Sequence, residues 1–257
     1  MEKSVVFFKI IVPNYNNAQW LDKCLSSIIR QSFKDYKVVV IDDMSTDDSV
    51  DIIKKYPVEL VELTRKRYNG GARNVGIDYP IESKYTLFLD SDDWFYTDDV
   101  LKKLYFHLKE HPVDCLSLPY HIVYKDMEED YPLLRNTIRS LVWDNCGACW
   151  TKCIKSELIR KFPENTLMED TVQHIDQCNY LTTLDSVNFS VVCYNRTNLN
   201  ALTHPQKEMS IKWRTSILRF LADLLELWCP NEDCEERRQE RIEVAKEQIK
   251  KGKFIKW

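Results

Sequence analysis

Glycine is scarce in this chain, with 5 among 257 residues and none before Gly70. A glycine-rich phosphate loop after a first strand is thereby excluded, because such loops need backbone shapes that glycine adopts most cheaply. No run of about 18 apolar residues occurs, so no membrane-spanning helix is expected. The formal net charge is only −4. There is no global basic field, and binding to bulk polyanions is not expected. The short apolar stretch at the N-terminus lacks a small-residue cleavage site after it. It reads as a first strand and not as a secretory leader.

Aromatic residues make up 12% of the chain and apolar residues 44%. That is the material of a packed core and excludes disorder as the main state. The nine cysteines are odd in number, and several sit in apolar runs. They read as reduced, buried thiols, which points to a cytoplasmic location.

The first half alternates strand and helix signals. Residues 5–12 are an almost continuous apolar run, as expected for a strand covered on both faces. Residues 16–30 carry a helical stripe of Trp20, Leu21, Cys24, Leu25, Ile28 and Ile29. Residues 37–41 form a second strand ending at Asp42-Asp43. Ser45-Thr46 reads as the cap of a helix running to about Tyr56. A third strand over 58–63, a helix over 70–77 and a fourth strand over 85–89 follow. That strand delivers Asp90-Ser91-Asp92-Asp93, and a helix over 97–109 ends before Pro112. The pattern predicts a mostly parallel α/β sheet. Ligands of such sheets sit beyond the carboxyl ends of the strands. Asn14-Tyr15-Asn16, Asp42-Asp43 and the acidic run at 90–93 should therefore converge on one edge.

Beyond Asp114 the alternation fades. Residues 115–124 read as one strand, 126–131 as an acidic loop, and 187–194 as a late strand. Residues 143–160 mix aromatics, cysteines and a helix. Residues 211–228 read as an apolar helix, and 232–257 as a charged helix with a basic, aromatic-ended tip.

The acidic run at 90–93 is the sharpest chemical feature. Its carboxylates repel one another unless a cation sits among them. A divalent ion with oxygen ligands, Mg²⁺ or Mn²⁺, would satisfy them and keep positions open for a diphosphate. A solvated acidic turn is the alternative. Asp43 offers an acceptor for a base imide N–H, Tyr15 a ring for stacking, and Arg73 a two-pronged cation.

These residues, in order, carry a resemblance. Val12-Pro13-Asn14-Tyr15-Asn16, then Ile41-Asp42-Asp43-Met44-Ser45-Thr46-Asp47, then Gly71-Ala72-Arg73-Asn74, then Leu89-Asp90-Ser91-Asp92-Asp93 resemble the family 2 glycosyltransferases of GT-A fold. Cys149-Trp150-Thr151-Lys152 and Phe162-Pro163-Glu164 with Met168-Glu169-Asp170-Thr171 extend the likeness over residues 5–200. The resemblance implies a GT-A domain over 1–205, with a nucleotide half about 1–113 and an acceptor half about 114–205. A C-terminal helical extension covers 206–257. It further implies that Pro13 and Tyr15 line a nucleobase pocket and Asp43 binds the base. Arg73 lies on the nucleotide side, Asp90 contacts the ribose or the metal, and Asp92 is the main metal ligand. Asp93 is a second candidate in an uncertain register, and His204 a further metal contact. Asp170 is the catalytic base. The implied cofactor is Mn²⁺ or Mg²⁺ and the implied donor a UDP-sugar. The implied reaction inverts the anomeric carbon while moving one sugar to an acceptor hydroxyl. That acceptor is a cell-surface glycan, polyol phosphate polymer or lipid-linked saccharide. The Gln-x-x-Arg-Trp motif of processive members is absent, which implies single-sugar transfer.

Other readings compete. A catalytically inactive GT-A module or partner subunit is opposed by the presence of Asp43, Asp92 and Asp170 together. Glycosylation of a nucleic acid base is opposed by the acidic body. His107-x-x-Glu110-His111 fits a zinc-protease pattern but lacks a clear third ligand. Cys146, Cys149 and Cys153 with His174 and Cys178 lack paired zinc-ligand spacing and read as buried thiols or an acceptor wall. Trp143, Trp150 and His174 are candidate wall residues. The basic tip over 246–257 reads either as a peripheral membrane contact or as a solvated helix end.

Overall fold

The computed structural model describes residues 5–131, 148–164, 169–178 and 180–198. In chain order the first half holds β1 (Val6–Asn14), α1 (Ala18–Ile29), β2 (Tyr36–Asp42), α2 (Ser49–Ile53), β3 (Glu59–Glu62) and α3 (Tyr68–Asp78). It continues with β4 (Ser83–Phe88), β5 (Trp94–Phe95) and α4 (Val100–Glu110). The second half adds β6 (Cys115–Ser117), β7 (Tyr120–Val123), β8 (Glu128–Tyr131), β9 (Lys152–Lys155), α5 (Glu169–Cys178), β10 (Leu184–Ser186) and β11 (Val192–Asn195).

Seven strands form the main sheet in the order β10-β6-β9-β4-β1-β2-β3. The first four strands of the chain pair in parallel, and β9 runs antiparallel between β4 and β6. β1 is central, and all nine of its residues are buried. That burial explains its nearly continuous apolar run, since both faces are covered. α1 buries Leu21, Cys24, Leu25 and Ile28, and α4 buries Val100, Leu101, Leu104 and Leu108. Each large apolar side chain so buried contributes about 1.5–3 kcal/mol before entropy is counted. Lys9 and the terminal Asn14 are the polar residues of β1, and the Lys9 ammonium donates to the Ile77 and Tyr79 carbonyls at the end of α3. A second sheet, β5-β11-β7-β8, stands beside the acidic run.

Four expectations are corrected. Ser45 caps no helix. Its hydroxyl bonds Asp42, and α2 starts later, at Ser49. Asp47 serves there, accepting from the Ser49 and Ala18 N–H groups and so joining the starts of α2 and α1. The single strand over 115–124 is two strands in different sheets, broken at Leu118-Pro119. The acidic loop over 126–131 contains a strand, β8, whose four residues are all exposed. Among the described strands it stands at the edge of its sheet, where such charges discourage further pairing. The late strand over 187–194 is displaced: β10 ends before it, and β11 starts at Val192. Helices over 211–228 and 232–257, and the basic tip, lie outside the described residues. Among the described residues, no helix is long and apolar enough to cross a membrane.

Candidate active site

The carboxyl ends of β1, β2 and β4 meet as expected. Asp42 and Asp43 divide the work at the end of β2. Asp42 accepts from Asn14 Nδ2 at 2.8 Å, the Ser45 N–H at 2.9 Å and the Ser45 hydroxyl at 2.6 Å, so it is consumed in holding the edge together. Asp43 faces the loop before α3. Its two oxygens accept the Arg67 N–H at 2.7 Å and the Tyr68 N–H at 2.8 Å, with Lys66 Nζ 3.2 Å away. The same ammonium sits 2.7 Å above the Tyr15 ring centroid. Tyr15 is 46% exposed, whereas Pro13 is buried within β1. Asn16, Met44 and Tyr68 have positive φ values of 50, 63 and 59°, and each adjoins Tyr15 or Asp43 in the chain or by a hydrogen bond. Side chains other than glycine resist this conformation by about 1–2 kcal/mol each. Such strain concentrates where a surface is shaped for use.

Arg73 lies in α3, 1% exposed, with its guanidinium shared among three carboxylates. Nη2 lies 2.7 Å from Asp90, and Nη1 lies 2.9 Å from Glu169 and 2.5 Å from Asp170. One cation cannot neutralise three anions. Burial pushes the Asp170 carboxyl up to about 7, and Glu169 and Asp90 add to this against the pull of Arg73.

The structure gives Asp92 and Asp93 different surroundings. Asp93 is 1% exposed and accepts the Asn195 N–H of β11 at 2.8 Å, tying the loop to the second sheet. Asp92 is partly open, and one oxygen accepts from Asn198 Nδ2 at 2.7 Å. Burial, then repulsion by Asp90, raises its pKa to about 6. Asn17 donates to Ser91 at 2.8 Å and completes the loop's support. Among the described residues, no three His, Cys, Asp or Glu side chains could together hold a metal. Asp90 and the partly open Asp92 carry hard carboxylate oxygens of the kind that would suit Mg²⁺ or Mn²⁺. His204 lies outside the described residues.

Other candidates fall elsewhere. Trp150 is 5% exposed, packed against the rings of Tyr120 and Tyr194 at 4.9 and 5.1 Å, so it is a core residue and no acceptor wall. His174 is 3% exposed, one helical turn beyond Asp170, with Cys178 Sγ 3.9 Å from its ring. Trp143 and Cys146 lie outside the described residues. Cys24, Cys115, Cys149, Cys153, Cys178 and Cys193 are free and buried. His107 pairs with Asp185 at 2.9 Å. Lys66, Arg67, Asn195 and Asn198 gave no sequence signal. Each is a single polar residue without a spacing rule, and each matters through partners distant in the chain.

A mostly parallel sheet of this order, with its acidic residues at the carboxyl ends of the strands, has the GT-A architecture of α/β folds. The Glycosyl transferase family 2 model matches residues 9–176, and the chain belongs to that family. Glycosyltransferase GlyA of Streptococcus pneumoniae is 38% identical over 116 residues, covering 44% of this chain and 16% of GlyA. The poly(ribitol-phosphate) beta-N-acetylglucosaminyltransferase TarS of Staphylococcus aureus is 34% identical over 118 residues, covering 43% of this chain and 20% of TarS. The matched stretch thus spans a fifth or less of either relative. The crystal structure of S. aureus TarS 1-349 with UDP-GlcNAc superposes with a TM-score of 0.77 at 21% identity, covering 93% of this chain and 72% of that one. The mannosyltransferase PcManGT of Pyrobaculum calidifontis, in complex with GDP-Man and Mn²⁺, gives 0.58 at 18% identity, covering 87% of this chain and 64% of that one.

Proposed function

We propose that the chain transfers a sugar from a UDP-sugar to an acceptor hydroxyl by a single inverting displacement. The observation that carries this reading is the placement of Arg73. One buried guanidinium touches both Asp90, on the donor side, and Asp170, the proposed base. Donor and acceptor chemistry thereby share one fixed centre.

The base stacks on Tyr15, and Asp43 accepts its imide N–H through a lone pair that the loop amides leave free. Asp92, with Asp90, would hold Mn²⁺ or Mg²⁺, which when bound neutralises charge on the departing diphosphate. Asp170 takes the proton of the acceptor hydroxyl as the oxygen attacks the anomeric carbon. A carboxyl near pKa 7 is suited to this, being partly ionised and reasonably basic at neutral pH. Arg73 keeps Asp170 oriented and lowers the cost of its negative charge in a dry site. The poly(ribitol-phosphate) specificity of TarS supports a polyol phosphate acceptor, and the UDP-GlcNAc in its structure supports a uridine donor.

A thermal-shift screen of UDP, GDP, CDP and ADP with and without Mn²⁺ tests the donor class. A UDP shift that grows with Mn²⁺ is expected, since binding raises stability logarithmically with ligand concentration. Radiolabelled transfer from UDP-GlcNAc to a poly(ribitol-phosphate) acceptor then tests the reaction. A chain that binds none of the four nucleotides refutes the reading.

A further inference from the structure

An anionic acceptor meets a charge problem at this site. Asp90, Asp92, Glu169 and Asp170 all repel a phosphodiester, and the cations around them are engaged. Arg73 is shared among three carboxylates, Lys66 pairs with Asp43, and Arg67 pairs through Nη2 with Glu164. Lys152 is 1% exposed and donates to the Ala148 carbonyl. Lys23 caps the Trp94 ring, opposite Cys193, and so lies on the other face of the second sheet from Tyr194.

Arg196 differs. It follows β11 and is half-buried. Its Nη1 donates to the Tyr194 hydroxyl at 3.0 Å, and among the described residues no carboxylate pairs with it. Glu129 of β8, which stands across from Ile122, accepts instead from the Tyr124 hydroxyl at 3.1 Å. A guanidinium carries five N–H groups, so most of this one is left to offer. Its planar fork matches two oxygens of a phosphate.

The place of Arg196 is fixed by its neighbours. Its backbone N–H bonds the Val123 carbonyl at 2.9 Å. Asn195, one position before it, donates its N–H to Asp93, and Asn198, two positions after, donates to Asp92. The Tyr194 ring packs on Trp150 at 5.1 Å. Cys149 precedes Trp150, and its buried thiol feels the charges of Arg73, Asp170 and Asp90. Arg196 is therefore tied to Asp92 through the chain and to the surroundings of Asp170 through Tyr194 and Trp150.

We infer that Arg196 binds a phosphodiester of the acceptor and sets the preference for a polyol phosphate over a neutral glycan. This rests on the proposed transfer to a polyol phosphate. In such a chain the phosphodiester lies a few bonds from each hydroxyl. A cation at this place can hold the one while Asp170 meets the other, and its charge offsets the repulsion of the acidic groups.

The test uses the full chain and a fluorescently labelled ribitol phosphate oligomer, with dextran as the neutral comparison. Binding is read by anisotropy without donor, at about 50 and about 300 mM NaCl. The wild type should bind the oligomer, less tightly at the higher salt, and should not bind dextran. Arg196→Met and Arg196→Gln should weaken the oligomer about 10–100-fold, as for loss of one contact between charged partners. Arg196→Lys should recover part of this, since the charge remains and the fork does not. Lys109→Met removes an exposed cation of α4 and should change affinity less than about twofold, which sets bulk charge aside. UDP affinity with Mn²⁺ should stay within about threefold in every variant. With UDP-GlcNAc as donor, KM for the oligomer should rise by the same factor as the binding loss, with kcat nearly unchanged.

If Arg196→Met melts early, Arg196→Gln carries the readouts. Equal oligomer binding by the wild type and the Arg196 variants overturns the assignment, as does an equal loss in Lys109→Met. A loss of UDP affinity with oligomer binding intact would put Arg196 on the donor diphosphate and overturn it too. A wild type that binds UDP but no oligomer fails here alone. One that binds the oligomer but no UDP fails at the proposed function and leaves the Arg196 comparison standing. One that binds neither fails at both.

Discussion

Arg73 Nη1 lies 2.5 Å from Asp170, although 97 residues separate them in the chain. The contact is formed by α3, delivered after β3, and by the first turn of α5. It ties the stability of the fold to the arrangement of its proposed chemistry.

Arg73→Met should therefore be costly. Three carboxylates would lose their shared counter-charge in a buried setting, a change that costs about 3–5 kcal/mol. Urea denaturation of the variant checks this. Arg73→Lys keeps the charge but loses the fork, and should fall between the two. A wild-type midpoint in Arg73→Met would show that the cluster is not holding this edge.

Asp170→Asn should retain UDP binding while transfer falls about 10²–10⁴-fold, the range of general-base catalysis. The pH dependence has a definite sign. The ionised carboxylate accepts the proton, so wild-type kcat should rise with pH through about 7, the value to which burial pushes Asp170. The Asn variant should lose that limb. A profile that is flat between pH 5.5 and 8 would remove Asp170 as the base.

Asp92→Asn and Asp93→Ala should separate cleanly. The first should weaken Mn²⁺-dependent UDP binding with little change in melting. The second removes the acceptor of the Asn195 N–H and should cost about 1–3 kcal/mol, the penalty of a buried unpaired donor. Titration calorimetry with UDP and Mn²⁺ reads one effect and urea denaturation the other. Exchange of the two phenotypes would reverse the assignment.

His121 sits between two carboxylates of β8, with Asp130 at 3.0 Å from Nδ1 and Glu128 at 3.2 Å from Nε2. A neutral imidazole has only one N–H and would turn a lone pair toward one of them. Burial opposes the charge, but Asp130 and Glu128 outweigh it and raise the pKa above 6.5. A raised histidine stabilises fully below its unfolded pKa and loses this as pH rises through the folded one. Wild type should thus exceed His121→Gln in stability at pH 5.5 by more than at pH 8.5. An equal difference at both pH values would refute the charged clamp.

The parallel half of the fold was legible because its strands are buried on both faces and its helices carry stripes. The run over 5–12 and the stripe from Leu21 to Ile28 leave little choice. β8 was illegible for the converse reason: an exposed edge strand has no apolar face, so Glu128–Tyr131 looks like a loop. β6 and β7 were merged because Leu118 and Pro119 interrupt a run that stays apolar while it changes sheets. Within the site, Asp43 and Asp90 announced themselves by ending strands. That Asp93 is tied down while Asp92 stays partly open depends on Asn195 and Asn198, which no local pattern connects to the acidic run. The same holds for Arg67 and Glu164.

The partners of Asp92 and Asp93 have a consequence for how the molecule matures. Asn198 is 106 positions from Asp92, and Asn195 is 102 from Asp93. Bonds of such span form only after the chain has lost most of its loop entropy, so they come late in folding. The acidic run therefore gains its final shape when β11 and the residues just after it dock. A newly made chain that has collapsed but not yet closed would hold its hydrophobic core without a competent pocket, and onset of nucleotide binding would time the final folding step.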